Sequence, residues 1–294
     1  MVVPQSGLHG QRFIRLINCM IFSEILSDDD YGLRMKLAKG DIASFHKPGA
    51  SHAAVIAERR KWLALEPEVY SALLPSGVDL LGETMEMAVS LGILPGVESM
   101  ERFAALDPWT RCLRLGGMLE ADFLLMRPDD DGVFRLCGGC LCFPSHWDLS
   151  EKLGRTMAEI HAPVPALNEL LGRQIDGFLR RIKPGISWER ANWGLSRTGE
   201  LNLHPSRKLP RLDTTVDLDD VWFRVEEQSL VALPENGGVL FCIRLVIRPM
   251  RELKSDPEAR QGMLRALRTM PEPMARYKGI SPARGRLLEL LEGD

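Results

Sequence analysis

Polar side chains alternate along one predicted strand near residue 226. Arg224, Glu226 and Gln228 occupy every second position of the run FRVEEQSL. Because successive side chains of a strand point to opposite faces, all three lie on one face of the sheet. Such a row either faces water, which is the commoner case, or lines a binding site. Asn192 and Arg190 lie on the preceding strand candidate, so Asn192 and Glu226 meet in one polar pocket if the two strands pair.

His161 is the first candidate for a metal ligand. It follows a predicted helix and precedes Pro163 and Pro165, which restrict the backbone and so fix the direction of the imidazole. A haem iron binds a neutral imidazole that is held rigidly in an apolar wall, and the apolar residues around His161 would provide that wall. The alternative is an imidazole that caps the last carbonyls of its own helix, and the local sequence alone favours this role.

Two further groups of residues could also bind a ligand. In the run FPSHW, Trp147 either stacks on a bound molecule or fills the core, whereas His146 is more typical of a surface loop. Cys137, Cys140 and Cys142 resemble a metal motif. A zinc site needs a second pair of ligands that the sequence does not offer, so a buried apolar strand is the favoured interpretation. The sequence has no Cys-x-x-Cys-His run for covalent haem attachment and no glycine-rich nucleotide loop.

These residues are positioned by a mixed set of predicted elements. Apolar periodicity and proline or glycine stops predict helices at 52–65, 80–91, 99–106, 150–160, 166–182, 257–270 and 282–291. Alternating patterns predict a hairpin of strands at 121–127 and 133–143, then strands at 187–195, 221–230 and 238–248. Gly138 and Gly139 predict a bulge or a close backbone approach in the second strand. Two strands, a helical segment and three strands follow each other as in a PAS-type domain, an order that other α+β folds share.

The overall composition narrows the possible functions. The chain has 294 residues, of which 45% are hydrophobic, and a net charge of −3, so no basic field for nucleic acid is expected. No apolar run reaches the roughly 18 residues of a membrane span. The apolar stretch 13–26 is interrupted by charges and lacks a cleavage site, which argues against a secretory signal. Met1 and Met20 are both candidates for the start of translation. The six cysteines show no disulfide framework, so we expect free thiols and a cytoplasmic protein.

Several longer runs resemble the haem-dependent oxidative N-demethylase family. They occur in the same order as in that family: CFPSHWDLSEKLGRTMAEIHAPVP (142–165), RANW (190–193), RVEEQSLVALPENGGVLFCIR (224–244) and PEPMARYKG (271–279). DYGLRMKL (30–37) and the AERRKWL helix look like the N-terminal part of the family. Because the resemblance rests on spaced runs from about residue 30 to 279, it is more specific than one short motif.

The resemblance implies an α+β protein with a PAS-like, five-stranded antiparallel sheet and inserted helices. Residues 119–250 would form a haem-binding core, 1–118 a mainly helical extension and 251–294 C-terminal helices, all packed as one compact unit. The implied cofactor is haem b, with electrons delivered from NADPH by a separate reductase subunit that carries flavin and an iron–sulfur cluster. The implied reaction is the oxygen-dependent removal of a methyl group from a small secondary amine such as dimethylamine, with release of formaldehyde.

The resemblance also implies roles for individual residues. His161 becomes the expected iron ligand, which reverses the preference drawn from its local sequence. Arg224, Glu226 and Asn192 become candidate catalytic residues: a carboxylate can hold a substrate ammonium, and a guanidinium can polarise oxygen or pair with a haem propionate. The other candidate cofactor-binding residues are Trp147, His146 and Gln228. A haem-PAS gas or redox sensor, and a family member that has lost catalysis and serves as a binding subunit, are the alternatives.

Overall fold

Seven strands make one antiparallel sheet in the computed structural model, which describes residues 22–26, 29–94, 101 and 103–293. Across the sheet the order is β1-β5-β6-β7-β3-β4-β2. The strands are β1 (Ala38–Gly40), β2 (Ser71–Leu73), β3 (Asp122–Pro128), β4 (Phe134–Cys140), β5 (Ser187–Ser196), β6 (Trp222–Leu233) and β7 (Gly238–Pro249). The predicted α+β class is therefore confirmed.

The predicted number of five strands is wrong. The five long strands β3 to β7 are all present, but β1 and β2 extend the sheet at its two ends. β1 pairs with β5 and β2 pairs with β4, each over 3 residues. Strands this short carry no measurable alternation of apolar and polar residues, so only their pairing in the folded chain reveals them.

The hairpin of β3 and β4 contains the irregularity that its glycines predicted. The register between the two strands shifts at Leu125 and Met126, which leaves an extra residue in β4. Gly139 lies where three strands meet, paired to both Leu124 and Ala72. A Cβ atom on Gly139 would be 2.1 Å from the Phe123 carbonyl oxygen, so this close approach needs glycine.

Helices cover both faces of the sheet. In chain order they are α1 (Phe22–Ile25), α2 (Ile42–Phe45), α3 (His52–Leu65), α4 (Pro67–Tyr70), α5 (Val78–Ser90), α6 (Pro108–Gly116), α7 (Met157–His161), α8 (Leu167–Leu179), α9 (Met250–Ser255), α10 (Pro257–Thr269), α11 (Glu272–Tyr277) and α12 (Arg284–Glu292). The predicted helix at 99–106 and the apolar stretch 13–26 lie partly outside the described residues. Among the residues that are described, no helix is long and apolar enough to cross a bilayer.

The helix predicted at 150–160 begins later than expected. Residues 150–155 form turns against β4, where Arg135 bridges to Thr156, and α7 starts at Met157. Thr156 sets this start, because its hydroxyl accepts from the Glu159 amide while the Glu159 carboxylate accepts from the Thr156 amide. The end at His161 agrees with the sequence prediction.

The two faces of the sheet differ in what covers them. We call the face that carries Asn192, Glu226 and Gln228 the site face. Its apolar half, formed by residues such as Leu124 and Ile243, packs against α7 and α8. On the opposite face, α3, α5 and α6 cover the β3–β7 half and the C-terminal helices cover the β5–β6 half. The polar half of the site face lies beside the α7–α8 pair.

Candidate functional site

The register of β5 and β6 brings the predicted polar residues together. Asn192 pairs with Glu226, and Arg190 pairs with Gln228. Directly paired residues of an antiparallel sheet project on the same side, so these four side chains and Arg224 share the site face. The neighbouring β7 contributes half-buried apolar side chains at the positions paired with Glu226 and Arg224. The site face therefore combines a polar row with an apolar floor.

Only one oxygen of the Glu226 carboxylate is hydrogen-bonded to the described residues. Its Oε2 atom accepts hydrogen bonds from the Asn192 amide at 3.2 Å and from the Gln228 amide at 3.1 Å. Its Oε1 atom accepts none from the part of the chain that the structure describes. The two amides fix the orientation of the carboxylate, which leaves one oxygen to accept from a bound molecule.

Lys278 completes this network from the C-terminal segment. Its ammonium donates to the Trp193 carbonyl at 2.6 Å and to Asn192 Oδ1 at 3.5 Å, and it lies 5.3 Å from the centre of the Trp193 ring. Burial lowers the pKa of Lys278 to about 8, while the Glu226 carboxylate acts in the opposite direction. Reasoning from local patterns missed this residue. The only signal was the run PEPMARYKG, because 86 residues separate Lys278 from Asn192.

The two arginines of the site face are bonded differently. Arg224 is buried and donates to the carbonyls of Glu200 at 2.7 Å and Leu201 at 3.0 Å. Burial lowers the pKa of Arg224 to about 10. Its Nε atom and that of Arg190 are both buried without a hydrogen-bond partner in the described part of the chain. Arg224 thus anchors the connection before β6 and offers one free donor.

His161 ends α7 and lies close enough to Arg190 of the site face for the charge of Arg190 to act on its imidazole. Burial lowers its pKa to about 4, and the positive charges of Arg190 and Lys152 add to this effect, while Asp176 opposes it. The imidazole is therefore neutral at pH 7. No hydrogen bond joins it to the end of α7 or to any other residue that the structure describes. This arrangement differs from the capping role that the local sequence favoured.

His146 and Trp147 are consecutive residues in the segment that follows β4. His146 is half-buried and adopts a left-handed backbone conformation with φ of 67°. Burial, together with Arg211 and Arg224, lowers the pKa of His146 to about 4, so it is not the solvated loop histidine that its sequence suggested. Trp147 packs into the apolar cluster beneath α7, beside Ile160.

The two cysteines of β4, and Cys142 two residues beyond its end, are buried thiols, as the sequence favoured. Cys137, Cys140 and Cys142 are all free and buried. The Sγ atoms of Cys140 and Cys142 lie 3.7 Å apart inside the core. Within the described residues, no group of histidine, cysteine and acidic side chains has the arrangement of a metal site. A haem iron held by one histidine needs no such group.

The comparison with known families identifies the family of the chain. A sequence model described as haem-dependent oxidative N-demethylase, alpha subunit-like, matches residues 100–288, which is more than half of the chain. The chain belongs to this family. The match includes β3 to β7, α7 and the C-terminal segment that contributes Lys278. All residues of the site face named above therefore lie within the matched range.

The residues of this haem-dependent demethylase family member fit a haem group. A neutral imidazole without a hydrogen-bond partner is the form that an iron can bind. The half-buried Leu245 and Ile247 provide apolar surface for a macrocycle. The unpartnered Nε atoms of Arg190 and Arg224 are donors for anionic substituents. His161 would hold the metal, and Arg190 and Arg224 would offer donors to the anionic substituents of the cofactor.

Proposed function

We propose that the protein is the haem-binding subunit of an oxidative N-demethylase that uses oxygen to remove a methyl group from a small secondary amine such as dimethylamine, with release of formaldehyde. The observation that carries this proposal is the Oε1 atom of Glu226, which accepts no hydrogen bond from the described residues. It lies on the same sheet face as Arg190, whose charge acts on the neutral imidazole of His161. Haem b supplies the oxygen chemistry when bound, with electrons from NADPH through a separate flavin and iron–sulfur reductase subunit.

Glu226 is the residue that we propose for binding the amine. A secondary amine is protonated at neutral pH, and its ammonium needs a carboxylate acceptor in a partly buried site. The free Oε1 atom can accept one N–H of the substrate and can take up the proton that the nitrogen must release before its lone pair is available. Asn192 and Gln228 hold the carboxylate in place through Oε2, and Lys278 orients the Asn192 amide from behind.

The other residues shape and polarise the site. Arg224 would direct its free Nε donor toward a bound oxygen species or an anionic substituent, while its other nitrogens keep the 200–201 backbone in place. His146 would face the same end of the site as a neutral imidazole, and Trp147 would support α7. We propose that residues 119–250 form a PAS-like core, flanked by the segments 1–118 and 251–294.

An absorption spectrum of the purified protein tests the cofactor and its ligand. The ferric and the dithionite-reduced spectra are compared for the wild type, His161→Ala and His52→Ala, because His52 lies on α3 at the opposite face of the sheet. We expect a Soret band that shifts on reduction, is lost or strongly altered in His161→Ala, and is retained in His52→Ala. A wild type that stays colourless after incubation with hemin would refute the proposed function. A normal spectrum in His161→Ala would move the ligand elsewhere, with His146 tested next.

A second experiment tests the amine site. Glu226→Gln keeps the shape of the side chain and removes its charge, so we expect the haem spectrum to remain and the affinity for dimethylamine to fall by at least about tenfold. Glu227→Gln is the matched control, because Glu227 is adjacent in sequence but bonds Arg244 on the opposite face. Equal affinities of the two variants, measured by the amine-dependent shift of the Soret band, would contradict the role of Glu226.

A further inference from the structure

Arg190 is a cation without a partner among the residues that the structure describes. It lies on β5, paired with Gln228 and so on the site face. Its guanidinium makes no hydrogen bond or ion pair with any of those residues, although its Nε atom is buried. Arg224, the other guanidinium of the site face, has carbonyl partners. A partly buried guanidinium that loses water without gaining an acceptor is destabilising, so the arrangement is typical of a group that awaits a ligand.

The nearest opposite charge does not neutralise Arg190. Glu226 lies diagonally across β5 and β6, close enough to raise the pKa of Arg190 against the lowering effect of burial, yet no ion pair within 4.0 Å joins the two. The reason is local: Asn192 and Gln228 hold Glu226 by its Oε2 atom. These hydrogen bonds therefore keep Arg190 and Glu226 near each other without direct contact. The Nε atom of Arg190 and the Oε1 atom of Glu226 each have no hydrogen-bond partner among the described residues.

These two groups differ in the ligand chemistry that they select. The planar, forked donors of a guanidinium match the two oxygens of a carboxylate. Glu226 on the same face repels a dianionic phosphate more strongly than a singly charged carboxylate. We propose that Arg190 binds a carboxylate of a ligand in this site. This inference rests on the proposed function, which supplies two sources of that group. One is a carboxylate of the cofactor, and the other is a carboxylate of the substrate, which would then be an N-methylated amino acid with its ammonium on Glu226.

Pairs of ligands with and without a carboxylate distinguish the cofactor from the substrate as its source. The variants are Arg190→Gln and Arg190→Lys, with Arg173→Gln on the exposed side of α8 as control. Binding of hemin and of hemin dimethyl ester is titrated by the Soret band of the protein. Binding of N-methylglycine and of dimethylamine, which differ only by the carboxylate, is titrated by the spectral shift of the haem-loaded protein.

We expect Arg190→Gln to lower the affinity for at least one of the two carboxylate ligands by about tenfold or more. The affinity for the matching ligand without the carboxylate should not change. We expect Arg190→Lys to retain part of that affinity because it keeps the charge but loses the fork. An effect on hemin and not on its ester assigns the cofactor as the source. An effect on N-methylglycine and not on dimethylamine assigns the substrate as the source. Unchanged affinities for both carboxylate ligands in Arg190→Gln would overturn the proposal.

The same variants keep the two proposals distinguishable. If the wild type binds no haem, the proposed function fails, and Arg190 is then tested by calorimetry of N-methylglycine with the protein as purified. Binding that is weaker in Arg190→Gln than in Arg173→Gln would support the carboxylate role without the cofactor. Absence of binding to the wild type in that experiment would overturn it.

Discussion

At the residue scale, Lys278 couples the C-terminal segment to the site through a buried charge. Its ammonium donates to the Trp193 carbonyl, and burial lowers its pKa to about 8 from an ordinary value of 10.5. Between pH 8 and 10.5 the unfolded chain therefore binds more protons at this residue than the folded chain does. The linkage relation then requires that the stability contributed by Lys278 increase as the pH rises through this window.

Lys278→Met tests this sign. Between pH 7.5 and 9.5 we expect the free energy of unfolding of the wild type to increase relative to that of the variant, by at most about 1.4 kcal/mol per pH unit. The melting temperature of the wild type should rise relative to that of the variant accordingly. Circular dichroism at both pH values measures it. Lys183→Met, at an exposed lysine, is the control and should parallel the wild type. Parallel behaviour of Lys278→Met would show that the buried amine does not titrate in this range.

Single residues of the site were predictable from the sequence only where a local period exists. The alternation of Arg224, Glu226 and Gln228 predicted that they share one face of the sheet. Asn192 was predicted to meet Glu226 if their two strands paired, and β5 does pair with β6. Lys278 has no such signal, because its contact with Asn192 arises from packing of a distant helix end. No pattern in the sequence tells whether a guanidinium finds carbonyl partners, as Arg224 does, or stays unbonded, as Arg190 does.

At the element scale, Gly139 fixes the point where β2, β3 and β4 meet. Its φ of 145° is unfavourable for other residues, and a Cβ atom at this position would lie 2.1 Å from the Phe123 carbonyl oxygen. We expect Gly139→Ala to lower the free energy of unfolding by about 3 kcal/mol or more, because the backbone of β3 must move. Denaturant unfolding measures the change.

Gly285→Ala is the matched control for this prediction. A Cβ on Gly285 would meet no atom within 4 Å, and the residue lies in α12, so alanine should be neutral or stabilising by about 1 kcal/mol. Similar effects of the two substitutions would contradict the steric role of Gly139.

The sequence predicted long elements better than their ends or the short strands. The alternation of β7 over Gly238–Pro249 and the glycine bulge in β4 both follow from residue type. The start of α7 did not, because apolar spacing continues through residues 150–155 although Thr156 caps the helix later. Periodicity measures which side of an element is apolar, and it is insensitive to where hydrogen bonding begins.

At the scale of the whole molecule, a buried ion pair joins the N-terminal helices to the sheet. Arg59 of α3 bonds Asp122 of β3 at 2.6 Å and the Gly116 carbonyl at 2.7 Å, and both charged side chains are almost fully buried. Asp122 also accepts from the amides of Cys142 and Phe143. The Arg59 guanidinium thus compensates a carboxylate whose pKa burial would otherwise raise further.

Arg59→Met should leave this carboxylate unpaired in the core. We expect a loss of about 3–5 kcal/mol in the free energy of unfolding, measured by urea titration. Arg268→Gln removes an exposed pair with Glu292 and should cost less than about 1 kcal/mol. A loss in Arg59→Met as small as that of the control would mean that the pair contributes little to the fold.

The two shortest strands have a consequence for how the chain can be cut. β1 and β2, both from the first 73 residues, pair with the outer strands β5 and β4, while the family match begins only at residue 100. A fragment that starts at residue 100 would retain the site residues and expose unpaired amides and carbonyls at both ends of the sheet. Such edges are templates for strand exchange between molecules. We therefore expect the fragment to elute from a size-exclusion column as larger assemblies than the full chain, because the N-terminal third covers both edges of the sheet.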